Sequence, residues 1–215
     1  MSSLSSVSST TATTPLYGGA ITIPKLPQTF IDVSQIRQVP DTQEVFINQI
    51  PDNTSSPESQ SCYDQSLIID LLEQVNSIEY AQAIAEHMQD IVPAHVHNQP
   101  LEEIQVDGVT RYFSYVVFTP EYKRKEETGQ AEKIVMFICL IRLVKVETDV
   151  IVQFNVPFKS KEGVSDKLNI QASNHECGNG NHSKEKEVND VVNEKYAFFK
   201  NVCTGFKVRD WNLFG

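Results

Sequence analysis

Two carboxylates three positions apart, Asp70 and Glu73, stand in the segment DQSLIIDLLEQV (64–75). At 3.6 residues per turn, Leu67, Ile68, Leu71, Leu72 and Val75 fall on one apolar stripe. The spacing therefore predicts a helix from Asp64, which caps it, to Val75. On such a helix Asp70 and Glu73 would be neighbours on the outer face, with Ser66 and Ile69 beside them. A carboxylate pair performs acid–base chemistry only where a cleft raises one of its pKa values, and nothing nearby points to a cleft. Two readings remain: an ordinary solvated face, or a docking patch for a Lys or Arg of another protein.

The other reactive residues carry weaker patterns. His175, Cys177 and His182, in HECGNGNH, have ligand-forming side chains but not the paired short spacings of a four-ligand zinc site, so the segment reads as a solvated loop. His95 and His97 would share a face if extended, and two histidines make a poor site. Cys62 precedes the expected helix start, where a thiol pKa can fall, but with no obvious His partner it reads as an ordinary thiol. Lys123-Arg124-Lys125 is answered at once by Glu126-Glu127 and reads as a hairpin tip rather than an import signal. There is no phosphate-binding GxxxxGK and no GxSxG elbow; Gly18-Gly19 and Gly178-Asn179-Gly180 read as turns. No catalytic residue, metal site or cofactor is expected.

The chain has 215 residues, 40% of them hydrophobic, with a formal net charge of −10. That length suits one domain that buries about 70% of its unfolded surface. The charge disfavours nucleic acid and anionic membranes and suits a basic protein partner. No stretch approaches the roughly 18–20 apolar residues of a bilayer span, and the first residues lack the pattern of a signal peptide. Four scattered cysteines (62, 139, 177, 203) read as reduced thiols of an intracellular protein, which leaves the sequons at Asn53 and Asn181 unglycosylated.

Residues 1–15 form a Ser/Thr-rich tail with no apolar periodicity, and a polar stretch at 160–187 reads as a mobile loop within a single domain, 16–215. Between them the pattern predicts a strand at 43–48, a second helix at 77–91 with Ala81, Ile84, Ala85 and Met88 inward, and strands at 102–107 and 111–119. The long apolar run 133–146 and a strand at 150–156 should pair through a turn at 147–149. A helix at 188–204 and a short strand near 206–208 follow. Strands that are apolar on both faces need cover on both sides, and hairpin-length links favour antiparallel pairing. The expected fold is α+β, an α/β/α sandwich with a central antiparallel sheet and helices on both faces.

Several stretches taken in order from Leu16 to the end resemble one family: LYGGAI (16–21), FIDVSQIRQVPDTQEVFIN (30–48), DQSLIIDLLE (64–73), LIRLVKVETDVIVQFNVP (140–157) and NLFG (212–215). The chain is similar to the Ran guanine nucleotide release factors, the Mog family of nuclear-transport proteins. The resemblance implies a PsbP-like sandwich. It also implies binding to the small GTPase Ran, in its nucleotide-free or exchanging form, with release of the bound nucleotide in support of nuclear import. A monomer in the nucleus, with some in the cytoplasm, and Ran-binding proteins as further partners go with it. The family's acidic positions on the LLE segment fall on Asp70 and Glu73, beside Ile69. Asp41 and Glu44 either extend that surface or cap a turn and pair on a sheet edge. Two other functions compete: an adaptor without exchange activity, and a hydrolase using the carboxylate pair. The tail and the 160–187 loop have no counterpart in the resemblance.

Overall fold

The computed structural model describes residues 12–51, 56–89, 91–93, 96–121, 129–170 and 184–215. Thr13–Leu16 (β1), Ile21–Pro24 (β2) and the late Lys207–Val208 (β10) make a small antiparallel sheet with β2 in the middle. The main sheet takes Phe30–Asp32 (β3), Gln43–Asn48 (β4), Gln65–Glu73 (β5), Gln99–Val106 (β6), Val109–Phe118 (β7), Lys133–Leu143 (β8) and Thr148–Phe158 (β9). Its order is β3-β4-β5-β9-β8-β7-β6, and every neighbour is antiparallel. A short helix, Pro57–Ser61 (α1), precedes β5. Tyr80–Met88 (α2) follows it, and Lys184–Thr204 (α3) follows β9.

Alternation along β8 explains the layers. Phe137, Cys139 and Ile141 face a core shared with Val192, Tyr196, Phe199 and Val202 of α3, while Met136, Ile138 and Leu140 face Ala83, Ile84 and Met88 of α2. Successive strand residues point to opposite faces, so an unbroken apolar run requires cover on both sides, and the two helices supply it. Each large side chain so buried contributes roughly 1.5–3 kcal/mol. The expected α+β sandwich, with a central antiparallel sheet between helices, is the fold observed.

The segment 64–73 departs from expectation. Where a helix from Asp64 to Val75 was expected, Gln65–Glu73 is a strand inside the sheet, with β4 on one side and β9 on the other. Its apolar residues fit a helical stripe, but they also satisfy a strand buried on both faces: Leu67 and Ile69 enter the α3-side core, while Leu72 packs on the α2 side. Adjacent β-branched Ile68 and Ile69 favour the pleated form, and pairing on both edges decides between the two.

Smaller differences have local causes. α2 runs from Tyr80 to Met88, not 77 to 91, and its inner residues are Ala83, Ile84 and Met88, with Ala81 and Ala85 exposed. β1 begins at Thr13, inside the stretch assigned to the tail, because Thr13 pairs with Pro24. Residues 184–187, assigned to the loop, form the first turn of α3. The β8–β9 connection is a 3-10 turn at Val144–Val146 closed by Glu147 at φ 48°, so β9 starts at Thr148. Residues 1–11 of the tail, the core of the 160–187 stretch, His95, the 123–125 cluster and the 175–182 cluster lie outside the described residues.

Candidate partner-binding surface

The four acids and the isoleucine singled out in the sequence do come to one end of the main sheet, but not on one face. β5 ends at Glu73, opposite Thr148 at the start of β9, and Gln43 at the start of β4 pairs with Asp70. In a strand the side-chain period is two, so residues three apart point to opposite faces. Asp70 faces the α2 side, like Leu72, whereas Glu73 shares the face of Ile69 and Leu71 and is exposed. The pair is therefore not a neighbouring couple. Ile69, expected on the outer face, is 0% exposed and belongs to the core.

Asp70 is buried to 6% exposure. One carboxylate oxygen accepts a hydrogen bond from Gln43 Nε2 at 2.8 Å, and the other has no hydrogen-bond partner among the described residues. Burial raises its pKa above the ordinary value, against the lowering effects of the Gln43 bond and of His87 nearby. Glu44 is half-buried on the other face, where its carboxylate accepts the backbone N–H of Tyr17. Burial raises this pKa too; the Tyr17 N–H lowers it and nearby Asp32 raises it. Asp41 is exposed in the turn that leads into β4, closed by Gln43 N–H donating to Pro40 O at 2.9 Å. The surface thus has two exposed acids, Asp41 and Glu73, and two acids set into the protein behind them.

Residues with no assigned role in the sequence hold this end together. Tyr17 adopts a left-handed φ of 49°, followed by Gly18 at 65° and Gly19 at 94°, in the β1–β2 turn. Glycine takes such angles freely, which lets the turn fold back until the Tyr17 hydroxyl lies 2.9 Å from both Thr42 O and Ile69 O, its single proton shared between the two carbonyls. Burial, with Glu44 and Asp70 close by, raises the phenol pKa and keeps it a donor. On the α2 side Arg142 grips Asp149 with two bonds, Nε to Oδ1 and Nη2 to Oδ2, each 2.8 Å. Asp149 is 0% exposed and also meets His87 Nε2 at 2.9 Å and Val75 N–H at 3.2 Å. Burial raises its pKa, but the bonds from Arg142 and His87 outweigh it and hold the carboxyl below the usual range.

Arg142 and Asp149 were legible in principle, since Arg142 interrupts an apolar run and the hairpin register sets Asp149 opposite it. Tyr17 and Gln43 gave no comparable signal. Cys62 does not have the lowered pKa that a helix start could give. It follows α1, bridges to Phe158 and is buried, and burial together with Glu58 pushes its thiol up to about 12. Cys62, Cys139 and Cys203 are buried free thiols. Among the described residues no group of three His, Cys, Asp or Glu is arranged to hold a metal ion.

An antiparallel sheet between helices, with acids gathered at strand ends rather than in a cleft, defines an α+β domain that presents a charged surface. Residues 14–157 match the family model of the Ran-interacting Mog1 protein, and the chain belongs to that family. It is 32% identical over 93% of its length to the nuclear import protein MOG1 of Saccharomyces cerevisiae, covering 83% of that protein. It is also 32% identical to the human Ran guanine nucleotide release factor, over 66% of this chain and 74% of the other. The crystal structure of the S. cerevisiae Ran-binding protein Mog1p superposes with a TM-score of 0.65 at 30% identity, covering 95% of this chain and 98% of that one.

Proposed function

We propose that this chain binds Ran and promotes release of its bound guanine nucleotide. It would act as a regulatory binding protein rather than an enzyme, in support of transport between nucleus and cytoplasm and resident mainly in the nucleus. The observation that carries this reading is the match to the Ran-interacting family over residues 14–157, which includes every acid at the sheet end. Relatives named as a nuclear import protein and as Ran guanine nucleotide release factors support it.

In this reading Asp41 and Glu73 meet basic side chains of Ran directly. Asp70 and Glu44 add negative potential from behind, and Ile69 fixes β5 in the core beneath them. A protein that binds nucleotide-free Ran more tightly than loaded Ran must, by reciprocity, weaken the hold of Ran on its nucleotide. The test is release of a fluorescent guanine nucleotide from purified Ran with and without the full chain. Release should accelerate, and Asp41→Lys with Glu73→Lys should bind Ran at least tenfold more weakly and lose the acceleration. Tight binding with no acceleration would make the protein an adaptor instead.

A further inference from the structure

Two of the most exposed aliphatic side chains in the described residues stand beside the acidic end. Ile78 is 86% exposed and Val144 is 66% exposed. They come from separate segments that the Arg142 network ties together. Arg142 Nη1 donates to Ser77 O at 2.6 Å and Nη2 reaches Val75 O at 3.5 Å. Gln74 N–H donates to Glu147 O at 2.8 Å. Ile78 is the next residue after Ser77, and Val144 lies two residues beyond Arg142 in the 3-10 turn.

A loop that exposes an isoleucine gains nothing from being held so firmly unless its position matters. Here a buried ion pair, three backbone carbonyls and two backbone amides fix it. Exposed acids lie on the same segments: Glu79 follows Ile78, Glu147 closes the turn that carries Val144, and Glu73 pairs with Thr148 just after that turn, with Lys145 the one exposed cation of the turn. An apolar centre inside a charged rim is the usual layout of a protein-binding surface, and the rim selects a partner of opposite charge.

We propose that Ile78 and Val144 form the apolar anchor of the surface that Ran covers, so that contact extends from the β4–β5 strand ends onto the β8–β9 turn and the approach to α2. This rests on the Ran reading above. The acidic rim is the reason for assigning the patch to a basic face of that partner rather than to a second copy of this chain, whose net charge of −10 would oppose self-association.

The test is equilibrium binding of the full chain to nucleotide-free Ran for Ile78→Ser, Val144→Ser and the double variant, beside Glu73→Lys and Ile91→Ser. The double variant should bind at least tenfold more weakly at both about 0.1 M and about 1 M salt, because apolar burial is not screened, whereas the Glu73→Lys loss should shrink at high salt. Ile91→Ser, beyond the far end of α2, should bind like the wild type. Melting temperatures should stay near that of the parent. If serine lowers them, Ile78→Ala with Val144→Ala takes its place. A double variant that binds Ran like the wild type while Glu73→Lys weakens binding overturns the anchor and leaves the Ran reading standing. A wild type that does not bind Ran overturns both. A wild-type dimer that the double substitution converts to monomers, with Ran binding unchanged, assigns the patch to a second copy and overturns the proposal.

Discussion

Asp70 and Asp149 lie on the same face of the sheet and burial raises the pKa of both, yet their partners leave them shifted in opposite directions. Asp149 has Arg142, so its charge is stabilised. Asp70 has only the Gln43 amide and the field of nearby His87, which do not offset burial, so its charge is disfavoured. A carboxyl whose folded pKa is raised contributes stability that is complete below its unfolded value and is lost as pH rises through the folded one. Asp70→Asn keeps the Gln43 partner and removes the charge. Its melting temperature relative to the wild type should therefore increase between about pH 3 and pH 7, measured by thermal scans across that range. A flat difference would mean that Asp70 titrates as it does in the unfolded chain. Asp149→Asn should do the reverse. It strands a buried guanidinium and should cost about 3–5 kcal/mol in urea denaturation at neutral pH.

At the scale of elements, the assignment of 65–73 to a strand changes what mutations there should do. Ile69→Ala removes core volume between the sheet and α3 and should cost about 2–5 kcal/mol of stability. An exposed helix position would lose almost nothing. Glu73→Lys should change stability by less than about 0.5 kcal/mol. Asp70→Lys, harmless on an outer helix face, should destabilise strongly, because an ammonium would enter a buried position that faces His87. The sequence pattern was informative wherever only one element fitted it. Gln43–Asn48 matches its strand to the residue, β8 follows from a long unbroken apolar run with a turn after it, and α3 follows from a clear stripe. It misled at 64–75 because leucines and isoleucines at 67, 68, 71 and 72 satisfy two periods at once, and only the neighbouring strands decide. The acids were legible as a group. Their division between two faces was not, because it follows from the period.

For the whole molecule, charge distribution sets how the partner is met. On the proposed reading, a net charge of −10 on the full chain draws a basic protein from a distance, and the exposed acids at the sheet end set where it lands. The association rate with Ran should therefore fall steeply as ionic strength rises from about 0.1 M to about 1 M, where the Debye length drops from about 10 Å to about 3 Å. The dissociation rate should change far less, since it reports contacts already desolvated. Stopped-flow measurement of both rates separates the two effects. An association rate indifferent to salt would mean that the acids take no part in the encounter.

The tie between His87, Asp149 and Arg142 has a consequence for motion. α2 is short, and it rests on the sheet through three buried side chains and this polar link, whereas β5 and β9 are hydrogen-bonded on both edges. The helix is thus expected to open as a unit before the sheet does. Asp149 supplies stability above its unfolded pKa and loses it as pH falls through its lower folded value. As pH falls below about 4, the ordinary Asp value, hydrogen exchange corrected for intrinsic rates should show α2 amides losing protection first, with β5 and β9 amides still slow. The segment that carries Ile78 would be freed in the same opening, so acid would loosen the apolar side of the surface before it unfolds the domain.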